Sequence, residues 1–271
     1  MATAKKTAAP AATRRAPPPD PTPSRSTAVA PRRSTEVSKL DYGQVAPGAG
    51  MEGADRDSFA LPFLQILQKM SPQLDRNDAK YIKGAKEGDI LNTASLTVYD
   101  GEEGILVAPV NFKRSFIAWT IREKGGGFKG EYLPSDPIIM TTTKDVKGRD
   151  LLPDGQTHLS DTRLHAVVLL QGDAPTPALV SISSTQIKKS KRWMTAQQEI
   201  QSKDNLPTFA HCYKMVTVPE SNDKGSWMGW NITPEGPLAE QEHVDAAVAF
   251  YRALQSGAMK MKADTTDHNA E

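Results

Sequence analysis

The sequence predicts a β-rich α+β fold with two helices, preceded by a disordered arm. Short apolar segments alternating with polar residues recur between Gly88 and Ile232, with Gly- and Asp-containing turns between them. Two longer segments space their apolar residues as helices do, and the first 50 residues hold eight of the 20 prolines. We therefore divide the chain into an arm at residues 1–50, a single β-rich domain at residues 51–257 and a flexible tail at residues 258–271.

The arm is basic, whereas the rest of the chain is slightly acidic. Residues 1–50 carry eight Lys and Arg against three Asp and Glu, and the other 221 residues carry 25 against 29. A segment this rich in Pro and poor in aromatic residues cannot bury enough apolar surface to offset the entropy lost on ordering. A cationic arm is suited to attract nucleic acid or an acidic partner, and it is equally suited to serve as a solubilising tail.

The strand predictions follow an apolar opening at residues 59–70, whose spacing fits a strand or a helix. The segment at residues 105–123 is too long for one flat strand, and Pro109 and a change of apolar phase near Lys113 predict a bulge or bend. A loop is expected at residues 219–225. Strands are predicted at residues 89–93, 96–99, 105–123, 164–170, 179–183, 213–218 and 227–232.

Two helices are predicted, at residues 186–201 and 238–256. The first is expected to pack Ile187 and Met194 inward, and the second ends at Gly257, a residue type that often terminates helices. Many short strands with two helices favour a partly open β-barrel of the oligonucleotide-binding type, elaborated with helices. A β-sandwich fits the same counts.

Residues 112–132 interleave aromatic and basic side chains. Five of the 17 aromatic residues fall in these 21 positions, which a triple glycine at residues 125–127 interrupts. This pattern suits single-stranded nucleic acid, because bases stack on rings while Lys and Arg contact phosphates. It also suits an amphipathic strand with core rings and solvated charges. The candidate nucleic-acid-binding residues here are Phe112, Lys113, Arg114, Phe116, Trp119, Arg122, Lys124, Phe128 and Lys129.

Among these rings, we expect Trp119 to stack on bases, because Arg122 and the glycine turn follow it closely. Phe116 lies three positions earlier, so in a regular strand it faces the opposite side. Only a bulge between the two would place both rings on one surface.

A second basic cluster lies at the start of the first predicted helix. It consists of Lys188, Lys189, Lys191 and Arg192, followed by Trp193. Cations in a first helical turn oppose the helix dipole, so local stability does not explain them, and an anionic partner would. The alternative is a solvated helix face with Trp193 in the core.

No catalytic or metal-binding constellation is predicted. The five histidines are scattered without zinc-ligand spacing, and the triple glycine lacks the Lys-Ser/Thr of a phosphate-binding loop. We therefore expect neither an enzyme nor a cofactor. The single cysteine, Cys212, and the absence of an apolar run of roughly 18 residues predict a soluble intracellular protein without membrane contact.

A resemblance to a known family is carried by four strings: LPFLQILQKMSPQL, AKEGDILNT, GILVAPVNFKRSFIAWTIREKGGGF and SSTQIKKSKRW. They resemble a family of tailed-phage single-stranded DNA-binding proteins of the replication and recombination machinery. The likeness covers Leu61 to Trp193, with a weaker continuation to Ile232. It implies an oligonucleotide-binding barrel, a non-enzymatic role, and DNA contacts by Lys113, Arg114, Phe116, Trp119, Arg122, Lys188, Lys189, Lys191 and Arg192.

The chain departs from that family at its C-terminus. Phage proteins of this role often end in a strongly acidic tail, but here Asp264, Asp267 and Glu271 are diluted by Lys260 and Lys262. The resemblance therefore does not extend to recruitment of replication proteins through the tail.

The function expected from these patterns is sequence-independent binding of single-stranded DNA in phage replication or recombination, coating and protecting the strand in the host cytoplasm. Replication or recombination proteins are further possible partners. Two alternatives remain open at this point: a phage structural or DNA-contacting interaction protein, and a recombination protein that anneals single strands.

Overall fold

The computed structural model describes residues 49–53, 61–223 and 225–264. The chain divides into two compact units, residues 1–53 and 54–271, and of the first only a turn at residues 49–53 is described. The predicted disordered arm thus lies outside the described residues, except for its last two positions. Its boundary stays a prediction.

The second unit is rich in strands and has two α-helices among its described residues, which confirms that part of the predicted fold class. The elements are β1 (Leu64–Ile66), β2 (Ile90–Asn92), β3 (Val98–Tyr99), β4 (Ile105–Thr120), β5 (Phe128–Tyr132), β6 (Thr143–Lys144), β7 (Asp150–Leu151), β8 (Thr157–Leu169), β9 (Thr176–Ser183), α1 (Ile187–Asp204), β10 (His211–Asn222), β11 (Gly225–Pro237) and α2 (Gln241–Gln255).

Long antiparallel strands form a curled sheet in the order β11-β10-β4-β8-β7-β6, with β5 paired to β4 and β9 paired to β8. Strands β4 and β8 pair along most of their length. Their register shifts between Pro109 and Asn111, so Val110 is an extra residue on β4. Because proline has no N–H to donate, the ladder is readily interrupted there. The bulge or bend predicted near Pro109 is confirmed as a bulge.

Strands β1, β2 and β3 form a small separate sheet. Gln68, just after β1, hydrogen-bonds to the edge strand β11. The Gln68 carboxamide donates to the Met228 carbonyl at 2.8 Å and accepts from the Met228 N–H at 2.9 Å. The Gln186 side chain likewise accepts from the Trp230 N–H at 2.9 Å. These two amides satisfy backbone groups of an edge strand that would otherwise need water.

Both faces of the large sheet are buried where it pairs β4 with β8. Alternate residues of β8 point to opposite faces and pack in different clusters. On one side Val167 packs in a cluster with Trp193 of α1. On the other side Ala166 packs in a cluster with Phe250 of α2. We call these sides the α1 face and the α2 face.

Two details of the predicted fold are wrong. The buried residues of α1 are Ser190, Trp193 and Gln197, whereas Ile187 and Met194, expected to point inward, are only partly buried. The loop expected at residues 219–225 is mostly strand, since β10 continues to Asn222 in register with β11. Proline is tolerated at position 219 because β4 pairs with β10 only as far as Met215, which leaves one side of β10 free there.

Residues 258–264, predicted to be flexible, lie against the domain. Met259 and Met261 pack against the cluster beneath α2, and the Lys113 ammonium donates to the Met261 carbonyl at 3.2 Å. Gln65 donates to Asp264 at 2.6 Å. The remainder of the predicted tail, residues 265–271, lies outside the described residues. Among the helices described, none has both the length and the apolar character needed to cross a membrane.

Candidate nucleic-acid interface

The aromatic-basic segment divides between the two faces of the sheet. From Asn111 to Thr120, β4 stays in continuous register with β8, so its residues alternate regularly. Phe112, Arg114 and Phe116 therefore lie on the α1 face, whereas Lys113 and Trp119 lie on the α2 face. Strand β4 has no bulge between Phe116 and Trp119, so the two rings lie on opposite faces of the sheet.

On the α1 face, the half-buried ring of Phe112 lies beside His165, with 5.0 Å between ring centroids. His165 also stacks on Trp193 of α1 at 4.4 Å, and its Nε2 lies 2.8 Å from the Ser190 hydroxyl oxygen. Burial, with a smaller effect from the charge of Arg163, lowers the pKa of His165 to about 3. His165 is therefore neutral at physiological pH.

Farther along the same face, Arg114 is held by a carboxylate. Its Nε and Nη2 atoms lie 3.0 and 2.9 Å from the two oxygens of Asp161, and this bidentate contact raises the pKa of Arg114 further above its ordinary value. The Arg114 guanidinium carbon lies 5.1 Å from the centre of the Phe116 ring. Phe116 packs against a small buried cluster formed by Ala118, Leu152 and Leu159.

On the α2 face, Trp119 is buried, and the prediction that it is the ring open to bases is wrong. Trp119 is 8% exposed, while Phe128 of β5 is 43% exposed. A bulge in β5 makes Lys129 the extra residue and pairs Phe128 with Trp119. The two rings meet edge-on with centroids 6.0 Å apart, so Phe128 covers Trp119.

The turn between β4 and β5 carries two exposed cations, Arg122 and Lys124, and the bulge residue Lys129 of β5 is a third. All three glycines of the turn have φ between 66° and 107°, a conformation that residues with a side chain rarely adopt. Glu123 accepts from Lys147 at 2.8 Å, and this contact lowers the pKa of Glu123 to about 2. Elsewhere on the α2 face, Lys113 is paired with Glu131 at 2.7 Å.

The basic cluster of α1 separates into one paired and three unpaired side chains. Lys189 lies 2.7 Å from Glu220, which also accepts from Gln186 and Trp227. Burial alone would raise the pKa of Glu220, but the hydrogen bonds and the Lys189 charge lower it overall. The other three cations are exposed and form no ion pair within the described part of the chain: Lys188, Lys191 and Arg192. We call these three residues the α1 stripe.

Trp193 follows the α1 stripe and is buried against His165, as the alternative interpretation of the sequence held. Spacings of three and four residues place Lys191 and Arg192 on the same side of the helix as Lys188. The helix that carries the stripe packs on the α1 face, which is also the face of Phe112 and Arg114.

Sequence analysis missed two residues of this surface, Asp161 and Arg163 of β8. The signal was present, because Asp161, Arg163 and His165 alternate with Thr162, Leu164 and Ala166 in a strand that is largely buried. Charged residues at such positions require a specific partner or ligand. Among the residues that the structure describes, no three His, Cys, Asp or Glu side chains are grouped closely enough to hold a metal ion.

The fold and surface define a β-rich domain with a curled sheet and a basic helix. The family model of Pam3 phage gp34-like proteins matches residues 32–260, so the chain belongs to the Pam3 phage gp34-like family. This agrees with the expected phage relationship. No curated protein and no solved structure matches the chain.

Proposed function

We propose that the protein binds single-stranded DNA without sequence preference and serves phage DNA replication or recombination by coating the strand. The observation that carries the proposal is the α1 stripe, three exposed cations without an ion pair among the described residues, on a helix that packs over the α1 face. Cations along a surface attract phosphates through a salt-dependent term.

Half-buried and exposed rings supply the second requirement of single-strand binding. Phe112 and Phe116 are half-buried on the α1 face, and Phe128 is exposed on the α2 face, next to the glycine turn. Base stacking on an aromatic ring adds about 1–3 kcal/mol per base and tolerates any sequence. In the proposed arrangement the curled sheet is a barrel of the oligonucleotide-binding type, whose strands commonly present such rings.

The experiment compares binding of labelled single-stranded and double-stranded oligonucleotides across a salt series. Changing Lys188, Lys191 and Arg192 together to Gln should weaken single-strand binding and reduce the log–log salt slope by about 0.7 for each phosphate that the variant no longer neutralises. Folding should be unimpaired or slightly improved, because Lys188 lies in the first turn of α1, where a cation opposes the helix dipole.

The matched control is the exposed lysine set of the loop between β1 and β2, Lys80, Lys83 and Lys86, also changed to Gln. This control variant changes the net charge by the same amount, but its substitutions are outside α1. Equal losses of single-strand affinity in both variants would show that the α1 stripe acts only through the net charge of the protein. Absence of single-strand binding by the unaltered protein would refute the proposed function, and annealing of complementary strands would favour the annealing alternative.

One observation favours the second candidate, a phage structural or interaction protein. Leu133, Met140 and Val146 are exposed within one stretch between β5 and β7. Exposed large apolar side chains close together in sequence are a feature of protein-contact surfaces. Under that alternative, the protein would contact another phage protein and would not prefer single strands over duplex DNA.

A further inference from the structure

The α1 face contains a buried cation whose charge is incompletely compensated. Arg163 lies between Asp161 and His165 on β8, and its side chain is only 10% exposed. Its Nε has no hydrogen-bond partner among the described residues. Its nearest carboxylate oxygen, on Asp161, is 3.9 Å from Nη2, which is too far for a good hydrogen bond.

The carboxylate is already occupied by a second arginine. Asp161 accepts both of its short contacts from Arg114, at 2.9 and 3.0 Å. Two guanidinium groups therefore share one carboxylate, and neither can lose its charge at physiological pH. The adjacent His165 is neutral, so it adds no compensating or opposing charge.

We infer that Arg163 and Arg114 together bind a phosphate group on the α1 face. A guanidinium offers paired N–H donors that match the oxygens of a phosphate, and a buried cation without a full partner favours an anion strongly. Arg114, with 39% of its side chain exposed, is the accessible side of the site. Phe112 and Phe116 flank the two arginines at the neighbouring positions of β4 on the same face.

The source of the phosphate is the backbone of a bound single strand, and this part rests on the function proposed above. The half-buried rings beside the arginines would then contact the bases next to that phosphate. A free phosphate compound would satisfy the same guanidinium groups, so the experiment includes both ligands.

The test uses Arg163→Met in the full chain. The substitution keeps an unbranched stem and leaves Asp161 paired with Arg114. Affinity for a labelled oligothymidylate should fall about tenfold to a hundredfold, the loss expected for a charge-assisted contact. The salt slope should fall by about 0.7. The melting temperature should stay the same or rise, because a poorly compensated buried charge is removed.

Arg149→Met is the matched control, because Arg149 forms a 2.7 Å pair with Asp145 in the turn between β6 and β7. A second variant, Asp161→Asn, removes the competing carboxylate and should tighten oligothymidylate binding several-fold. A structural role for Arg163 predicts the opposite pattern: a lower melting temperature in Arg163→Met and no change in binding by the folded protein.

Calorimetric titration with inorganic phosphate at constant ionic strength separates the two ligands. If the unaltered protein binds phosphate, Arg163→Met does not, and neither protein binds the oligonucleotide, the phosphate site is supported and the proposed function is refuted. Oligonucleotide binding that depends on Arg163, without phosphate binding, would assign the site to the strand backbone. Equal oligonucleotide binding by Arg163→Met and Arg149→Met, with no phosphate binding, would overturn the inference.

Discussion

Phe128→Ala should mainly weaken binding, whereas Trp119→Ala should mainly lower the free energy of unfolding. Phe128 keeps 43% of its surface exposed, so its truncation forfeits about half of the burial of a Phe side chain, or roughly 1–2 kcal/mol of the free energy of unfolding. Trp119 is 8% exposed, and truncating a buried Trp typically costs about 3–5 kcal/mol. Under the proposed function, Phe128→Ala should also weaken single-strand binding by about 1–3 kcal/mol.

Urea unfolding measures the stability of each variant, and fluorescence anisotropy with oligothymidylate measures its binding under conditions where the variant is folded. Trp119→Phe is the control, since it retains a ring beneath Phe128 and should keep most of the affinity. Full binding by folded Phe128→Ala would refute Phe128 as a stacking ring. If Trp119→Phe loses as much binding as Phe128→Ala, then Trp119 is the ring that stacks on bases.

Two further outcomes are expected. Deleting residues 1–50 should leave the melting temperature measured by calorimetry nearly unchanged, because a segment of that composition contributes few packed contacts; a drop of many degrees would show that it docks on the domain. Stability should fall as the pH drops from about 6.5 toward 3, since the unfolded state protonates His165 there while the folded state, with a pKa of about 3, does not. Urea unfolding at pH 7 and pH 5 should therefore show a smaller loss in His165→Gln than in the unaltered protein, and equal losses would contradict this cause.

Much of the strand pattern can be predicted because strand and turn chemistry are local. The sequence predicts a bend near Pro109, and β4 has its bulge at Val110 because a proline cannot donate to the ladder. The ends of β10 and β11 are not predictable in this way, because Pro219 and the polar residues after it resemble a loop. Their pairing depends on which strand lies on the other side of β10, and that is a tertiary property.

The exposure of individual rings is not predictable for a similar reason. Spacing alone places Phe116 and Trp119 on opposite faces, which the structure bears out, but it does not tell which ring is covered. Trp119 is covered because the β5 bulge at Lys129 brings Phe128 over it. A bulge on a partner strand has no signal in the sequence of the strand that it affects.

The α1 stripe and Arg163 share one property: their positive charges lack a close anionic partner among the described residues. Lys189, also on α1, has an internal partner in Glu220, so folding alone accounts for its charge. The α1 stripe has no such partner within the described residues, and one of its members, Lys188, lies in the first turn of α1, where a cation opposes the helix dipole. Arg163 is a second cation on the same side of the sheet that local stability does not favour. Features that oppose folding persist in proteins chiefly where function requires them. An anionic polymer lying across the α1 face would compensate both, whereas the interpretation of these residues as a solvated helix face and ordinary core accounts for neither.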